Sequence, residues 1–121
     1  ECRDVARLAA RYNLDVAHAE ELRPATLLDL LGAIDALRRP ARLEAIRAAC
    51  AADRNSRPGR ERDGDRPGDW LAHALDVVRR VDAGAIAKAS PPDKIENAVR
   101  QARLKALRAW RDRVKGGLLL E

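Results

Sequence analysis

The sequence predicts an all-α fold: a compact bundle of about seven helices, with one long mobile loop near residues 54–68. Three observations point there. Apolar residues recur at spacings of three and four, as one face of a helix requires, and no convincing strand pattern appears. The core must be built from Leu, Val, Ile and Ala, because Phe and Met are absent and Trp70, Trp110 and Tyr12 are the only aromatics. Small aliphatic side chains suit closely packed helices and disfavour a sheet. Finally, Pro, Ser and Asp stand where helices would start. A chain of 121 residues buries roughly 65% of its unfolded surface, enough for one real core.

Taken in order, Val5, Leu8, Ala9 and Tyr12 mark the inner face of a first helix, Cys2–Tyr12. Asp15–Leu22 reads as a second, short one. Pro24 suits the first turn of a third, with Thr26 and Asp29 as an alternative capping pair. Leu27, Leu30, Leu31, Ile34 and Leu37, with Leu28 beside them, make a wide apolar stripe, so this helix should be the most buried. Arg38-Arg39-Pro40 breaks the pattern, and Pro40 opens a fourth helix with Leu43, Ile46, Ala49 and Cys50 inward. Residues 54–68 (RNSRPGRERDGDRPG) hold no large apolar side chain and two Pro-Gly turns, which is loop chemistry. Asp69 is expected to cap a helix to Val81 with Trp70, Leu71, Ala74, Leu75 and Val78 inward, and Asp82 to cap a short one, Ala83–Ala89. The last helix is expected from Ser90 to Lys115, with Ser90 as N-cap and Pro91 at its first position.

That last segment dominates the charge pattern. It carries eight Lys or Arg against three acidic residues, a surplus of five that equals the net charge of the whole chain. At about 100° per residue, Ile95, Ala98, Val99, Ala102, Ala106, Ala109 and Trp110 share one sector and should face the bundle. Arg100, Leu104, Arg108, Arg111 and Lys115 lie opposite. The helix therefore presents a basic rail, whose candidate nucleic-acid contacts are Arg100, Arg103, Lys105, Arg108, Arg111 and Lys115. Such a rail is either a solvated face or a set of phosphate contacts, since clustered cations and a pI near 9.9 suit an anionic partner.

Other classes of function find little support. There is no membrane-length apolar run and no signal peptide. Cys2 and Cys50 are isolated, so neither a disulfide framework nor a zinc site is expected, and a reducing cytoplasm is the default compartment. His18 and His73 lack partners at ligand spacing, and His73 reads as structural. No Gly-rich phosphate loop and no catalytic constellation appears. The chain opens on Glu1 in mid-pattern and closes on Gly116-Gly117 and Leu118 to Glu121. This suggests a piece of a longer protein, with residues 116–121 a disordered end whose Leu-Glu resembles an expression-vector scar.

Three stretches together carry a family resemblance: EELRPATLLDLL with IDALRRPARLEAIRAACAAD (Glu20–Asp53), VDAGAIA (Val81–Ala87) and KIENAVRQARLKALRAW (Lys94–Trp110). In this order and spacing they resemble the C-terminal region of the bacterial multifunctional CCA proteins, the tRNA nucleotidyltransferases that build or repair the 3′ CCA end. The resemblance runs from about Arg3 to Trp110. It implies that residues 1–39 end an HD-type domain and residues 40–115 form a helical tail domain. It further implies that nucleotidyl transfer, with magnesium, CTP and ATP, belongs to the parent protein upstream. This fragment would hold no cofactor or metal, have no activity alone, and help grip the tRNA body by shape and backbone contact. His18 would match a family histidine, whereas Asn13 stands near a position where some members have a histidine linked to phosphohydrolase activity. The competing expectation is a protein-interaction module, a homodimer through the helical region, with no RNA role.

Overall fold

The computed structural model describes residues 2–55 and 65–115; among them the regular structure is all helical, joined by short turns, with no strand. Six α-helices run α1 (Cys2–Ala17), α2 (Pro24–Ala33), α3 (Pro40–Asn55), α4 (Arg66–Arg79), α5 (Ala83–Ala89) and α6 (Ile95–Lys115). Two 3₁₀ turns, Ala19–Glu21 and Pro92–Lys94, interrupt them. The all-α expectation holds, whereas the count of seven helices does not. The expected helix over Asp15–Leu22 is the end of α1 followed by a 3₁₀ turn. Most of the expected loop, residues 56–64, and the expected disordered end, 116–121, lie outside the described residues. The loop's flanks are described, and Arg54, Asn55 and Arg66–Gly68 are helical.

The chain divides into two compact units, Glu1–Leu75 and Asp76–Glu121, with the division inside α4. In the first unit α1 lies along α3. Ala9 and Val16 of α1 are buried, as are Leu43, Ile46 and Cys50 of α3, and the Cys50 thiol donates to the Ala9 carbonyl at 3.8 Å. Ala49, expected on the inner face of α3, is exposed. Leu27, Leu28, Leu30, Leu31 and Ile34 are all buried, as their stripe predicts, and Trp70, Leu71, Ala74 and Leu75 join the core from α4. The boundary implied near Arg39 is one of resemblance and falls inside this packed unit.

α2 ends four residues before the Leu37 end of its apolar stripe. Asp35 takes a left-handed conformation at φ 61°. Its N–H bonds the Gly32 carbonyl and the Ala36 N–H bonds the Leu31 carbonyl, both at 3.0 Å. This is the Schellman arrangement, with Asp where Gly is usual. Both Leu31 and Ala36 are fully buried, so the hydrophobic contact that accompanies the motif is available. The Asp35 carboxylate then meets Arg38 and Arg39 at 3.7 Å each.

α4 starts earlier than expected because its cap is Asp65, not Asp69. One Asp65 oxygen accepts from the Gly68 N–H at 3.1 Å, and the other from Arg47 Nε on α3 at 2.9 Å. Arg47 also donates to Asp69 at 2.5 Å and approaches Glu44 at 3.5 Å. Burial pulls the Arg47 pKa down. Its hydrogen bonds to Asp69 and Asp65 and the nearby charges of Asp65 and Glu44 outweigh that and hold it above the ordinary value. Gly68 makes this clasp sterically feasible: a Cβ there would stand 2.0 Å from an Asp65 oxygen and 2.6 Å from Arg47 Nε. A further tie joins Arg66 Nε to both oxygens of Glu20, at 2.9 and 3.1 Å.

Candidate nucleic-acid interface

The second unit contains the candidate basic face. Asp82 caps α5 as predicted, accepting from the Ala85 N–H at 2.9 Å. Ser90 does not open the last helix. Its hydroxyl donates back to the Ile86 carbonyl at 2.7 Å and its backbone is extended at the C-cap of α5. The reason is the Pro pair: a residue before proline is pushed out of the helical region, which affects Ser90 and then Pro91. A 3₁₀ turn follows, and α6 proper begins at Ile95. Its interior holds no Gly or Pro and is dominated by Ala, Leu, Arg, Lys and Gln, strong helix formers that keep it regular for 21 residues. Both α5 and the 3₁₀ turn pack against it.

The buried face of α6 is rotated from the expected one. Leu104, Leu107, Trp110 and Val114 are buried, at spacings of three, three and four. Leu104, expected outward, is an inner residue. Ala109, expected inward, is exposed, and Ile95 and Val99 are only half-buried. The large side chains, not the alanines, set the buried face. Four Ala and two β-branched residues define the expected sector, yet a Leu removes far more apolar area from water than an Ala.

This rotation sorts the six candidate contacts into two groups. Lys105, Arg108 and Lys115 are exposed, and with Gln101 and Asp112 they form one solvent stripe at alternating spacings of four and three. The three cations span about 15 Å along the axis at 1.5 Å per residue. Arg100, Arg103 and Arg111 are half-buried beside the apolar face. The Nε atoms of Arg103 and Arg111 are buried without a hydrogen-bond partner among the described residues, as befits stems laid over apolar surface. Arg113 was not among the candidates, yet it is exposed in the last turn. It lies about 120° around the helix from the middle of the stripe, which separates it from the other cations on a helical wheel.

Catalytic machinery is not apparent among the described residues. His73 is exposed, and His18 is exposed with its Nδ1 3.3 Å from Glu21. No group of three or more His, Cys, Asp or Glu is arranged to hold a metal ion, and no helix is long and apolar enough to cross a membrane, among the described residues. The arrangement offers an extended cationic surface suited to a polyanion.

The chain is similar to proteins named multifunctional CCA protein. It is 44% identical to that of Nitrosomonas europaea over 119 residues, 88% of this chain. With that of Laribacter hongkongensis it is 40% identical over 90% of the chain, and with that of Aromatoleum aromaticum 46% over 90%. It spans only 28%, 27% and 27% of the length of those three relatives. No family model and no solved structure matches the chain.

Proposed function

We propose that this chain is the C-terminal helical segment of a CCA-adding tRNA nucleotidyltransferase and holds the tRNA body while the chemistry proceeds elsewhere in the longer protein. The observation that carries this reading is the similarity of nearly the whole chain to multifunctional CCA proteins. The exposed cations of α6 support it. Lys105, Arg108 and Lys115 would meet phosphates, with Gln101 among them as a hydrogen-bonding side chain. Contacts of this kind read the shape and backbone of folded RNA and not its sequence. Arg100, Arg103 and Arg111 would act at the margin of that surface.

The parent would transfer nucleotides from CTP and ATP, with magnesium, to the 3′ end of tRNA in the cytoplasm. A pure dimerisation module is less well supported, because a second copy would bring like charges against the α6 stripe. The test is incorporation of labelled CTP and ATP into tRNA lacking its 3′ CCA. The longer protein should incorporate both, and the isolated 121 residues neither. Absence of incorporation by an intact, folded parent would refute the reading.

A further inference from the structure

The outer surface of the first unit carries a feature that tRNA holding does not use. Between α1 and α3 runs an apolar groove of about 630 Å³, lined by Val5, Ala6, Ala41, Ala45 and Ala49 together with Arg39 and Arg42. Ala6, Ala41, Ala45 and Ala49 are all exposed. Three of them stand four residues apart on α3, one above another on a single helical face. In a chain that is 36% charged, a solvated helix face would normally be written in Lys, Glu and Arg. Here it is written in alanine.

Alanine floors have a specific use. They let a neighbouring backbone approach closely and leave holes for large side chains from it, so that the pair interdigitates at core density. The occupant should therefore be a helix with large apolar residues. A second copy of this chain is a poor candidate at this face. It would set alanine against alanine, and the one large apolar side chain strongly exposed among the described residues, Leu14, is not part of the groove lining. The relatives that match this chain supply another source, since nearly three quarters of their length lies outside the matched stretch.

We infer that the groove between α1 and α3 seats an apolar-faced helix from the part of the longer protein that lies outside these 121 residues. The groove thus serves as the joint that fixes this unit to its neighbour. The inference rests on the chain being a segment of such a protein, but not on tRNA being its ligand.

The test places a thiol on the floor. Ala45→Cys, in a background with Cys2→Ser, is made in both the longer protein and the isolated chain, and its rate of modification by a maleimide is measured. Buried Cys50 serves as the slow internal reference. The expected result is modification at least tenfold slower in the longer protein, without tRNA and at every protein concentration. Equal rates would overturn the inference. So would protection that appears only with added tRNA, which would make the groove an RNA contact. Protection that grows with concentration in the isolated chain would assign it to a second copy and overturn it as well. A companion variant, Ala45→Glu, should leave the melting temperature of the isolated chain within about 2 °C and lower that of the longer protein. Nucleotide incorporation is not the readout, so the proposed activity could fail while the joint stands, or the reverse.

Discussion

Replacing Gly68 with Ala should destabilise this protein, although the same change at an ordinary helix position stabilises it by about 1 kcal/mol. Gly68 lies in the first turn of α4, under the Asp65 cap and against Arg47. A methyl group there would stand 2.0 Å from an Asp65 oxygen and 2.6 Å from Arg47 Nε, so the clasp must open. What is lost can be estimated from its parts. The Arg47 and Asp65 side chains are only 16% and 20% exposed, whereas Asp69 and Glu44 are 68% and 65% exposed. The Arg47–Asp65 bond joins two charged, mostly buried groups and is worth about 1.5–3 kcal/mol. The pairs to Asp69 and Glu44 are screened by solvent and add about 0–1 kcal/mol each. Loss of the cap adds about 1 kcal/mol. After the propensity gain is set against these, Gly68→Ala should cost about 1.5–5 kcal/mol. Urea unfolding followed by far-UV circular dichroism measures it. Arg47→Met should cost a similar amount, and the two changes together clearly less than their sum, because both break one clasp. A neutral or stabilising Gly68→Ala, or full additivity with Arg47→Met, would refute the reasoning.

Other substitutions check the remaining features. Leu104→Ala should cost about 2–4 kcal/mol as a large-to-small change at a buried site, while Ala109→Ser on the exposed side should stay within about 0.5 kcal/mol; urea midpoints distinguish them. Asp35→Val should cost about 1–2 kcal/mol because a β-branched residue resists the left-handed region. Asp35→Gly should be nearly neutral, since relief of backbone strain is offset by the greater entropy that Gly loses on folding. Thermal unfolding of both variants, compared with the parent sequence, decides this pair. Because the raised Arg47 pKa exceeds any working pH, the clasp's contribution through Arg47 is fully present below that range and would fade only in strong base. Swapping Arg47 for Lys should therefore weaken the clasp by geometry, not by titration, and leave the pH profile of stability between pH 6 and about 9 unchanged in shape.

Much of the fold was legible because its signals were local. Pro24, Pro40 and Asp82 each open a helix where the sequence placed one, and the Leu27–Ile34 stripe is core. The misplacements arose where the deciding partner is distant in sequence or where side-chain size outweighs pattern. Asp65 looked like part of a polar loop because its role depends on Arg47, 18 residues away on another helix. Asp35 ends α2 without the glycine that usually marks such an end. Ser90 had the composition of an N-cap, but two successive prolines moved the helix start to Ile95. On α6 the net charge was readable and the direction of its face was not. The angle depended on whether Leu104 and Leu107 or the more numerous alanines were buried. Three of the six candidate contacts consequently face solvent fully, and the other three lie half-buried beside Leu104, Leu107 and Trp110.

The salt dependence of tRNA binding tests the central claim most directly. Lys105, Arg108 and Lys115 are changed together to Gln, which keeps helix propensity and removes three exposed charges. Affinity is measured between 50 and 200 mM salt, in the longer protein. If each cation neutralises one phosphate, the slope of log affinity against log salt should fall by about 2–3 in magnitude. The advantage of the unaltered protein over the variant should then shrink about 20- to 40-fold across that range. An unchanged slope, with the variant still folded, would contradict the assignment of this face to RNA.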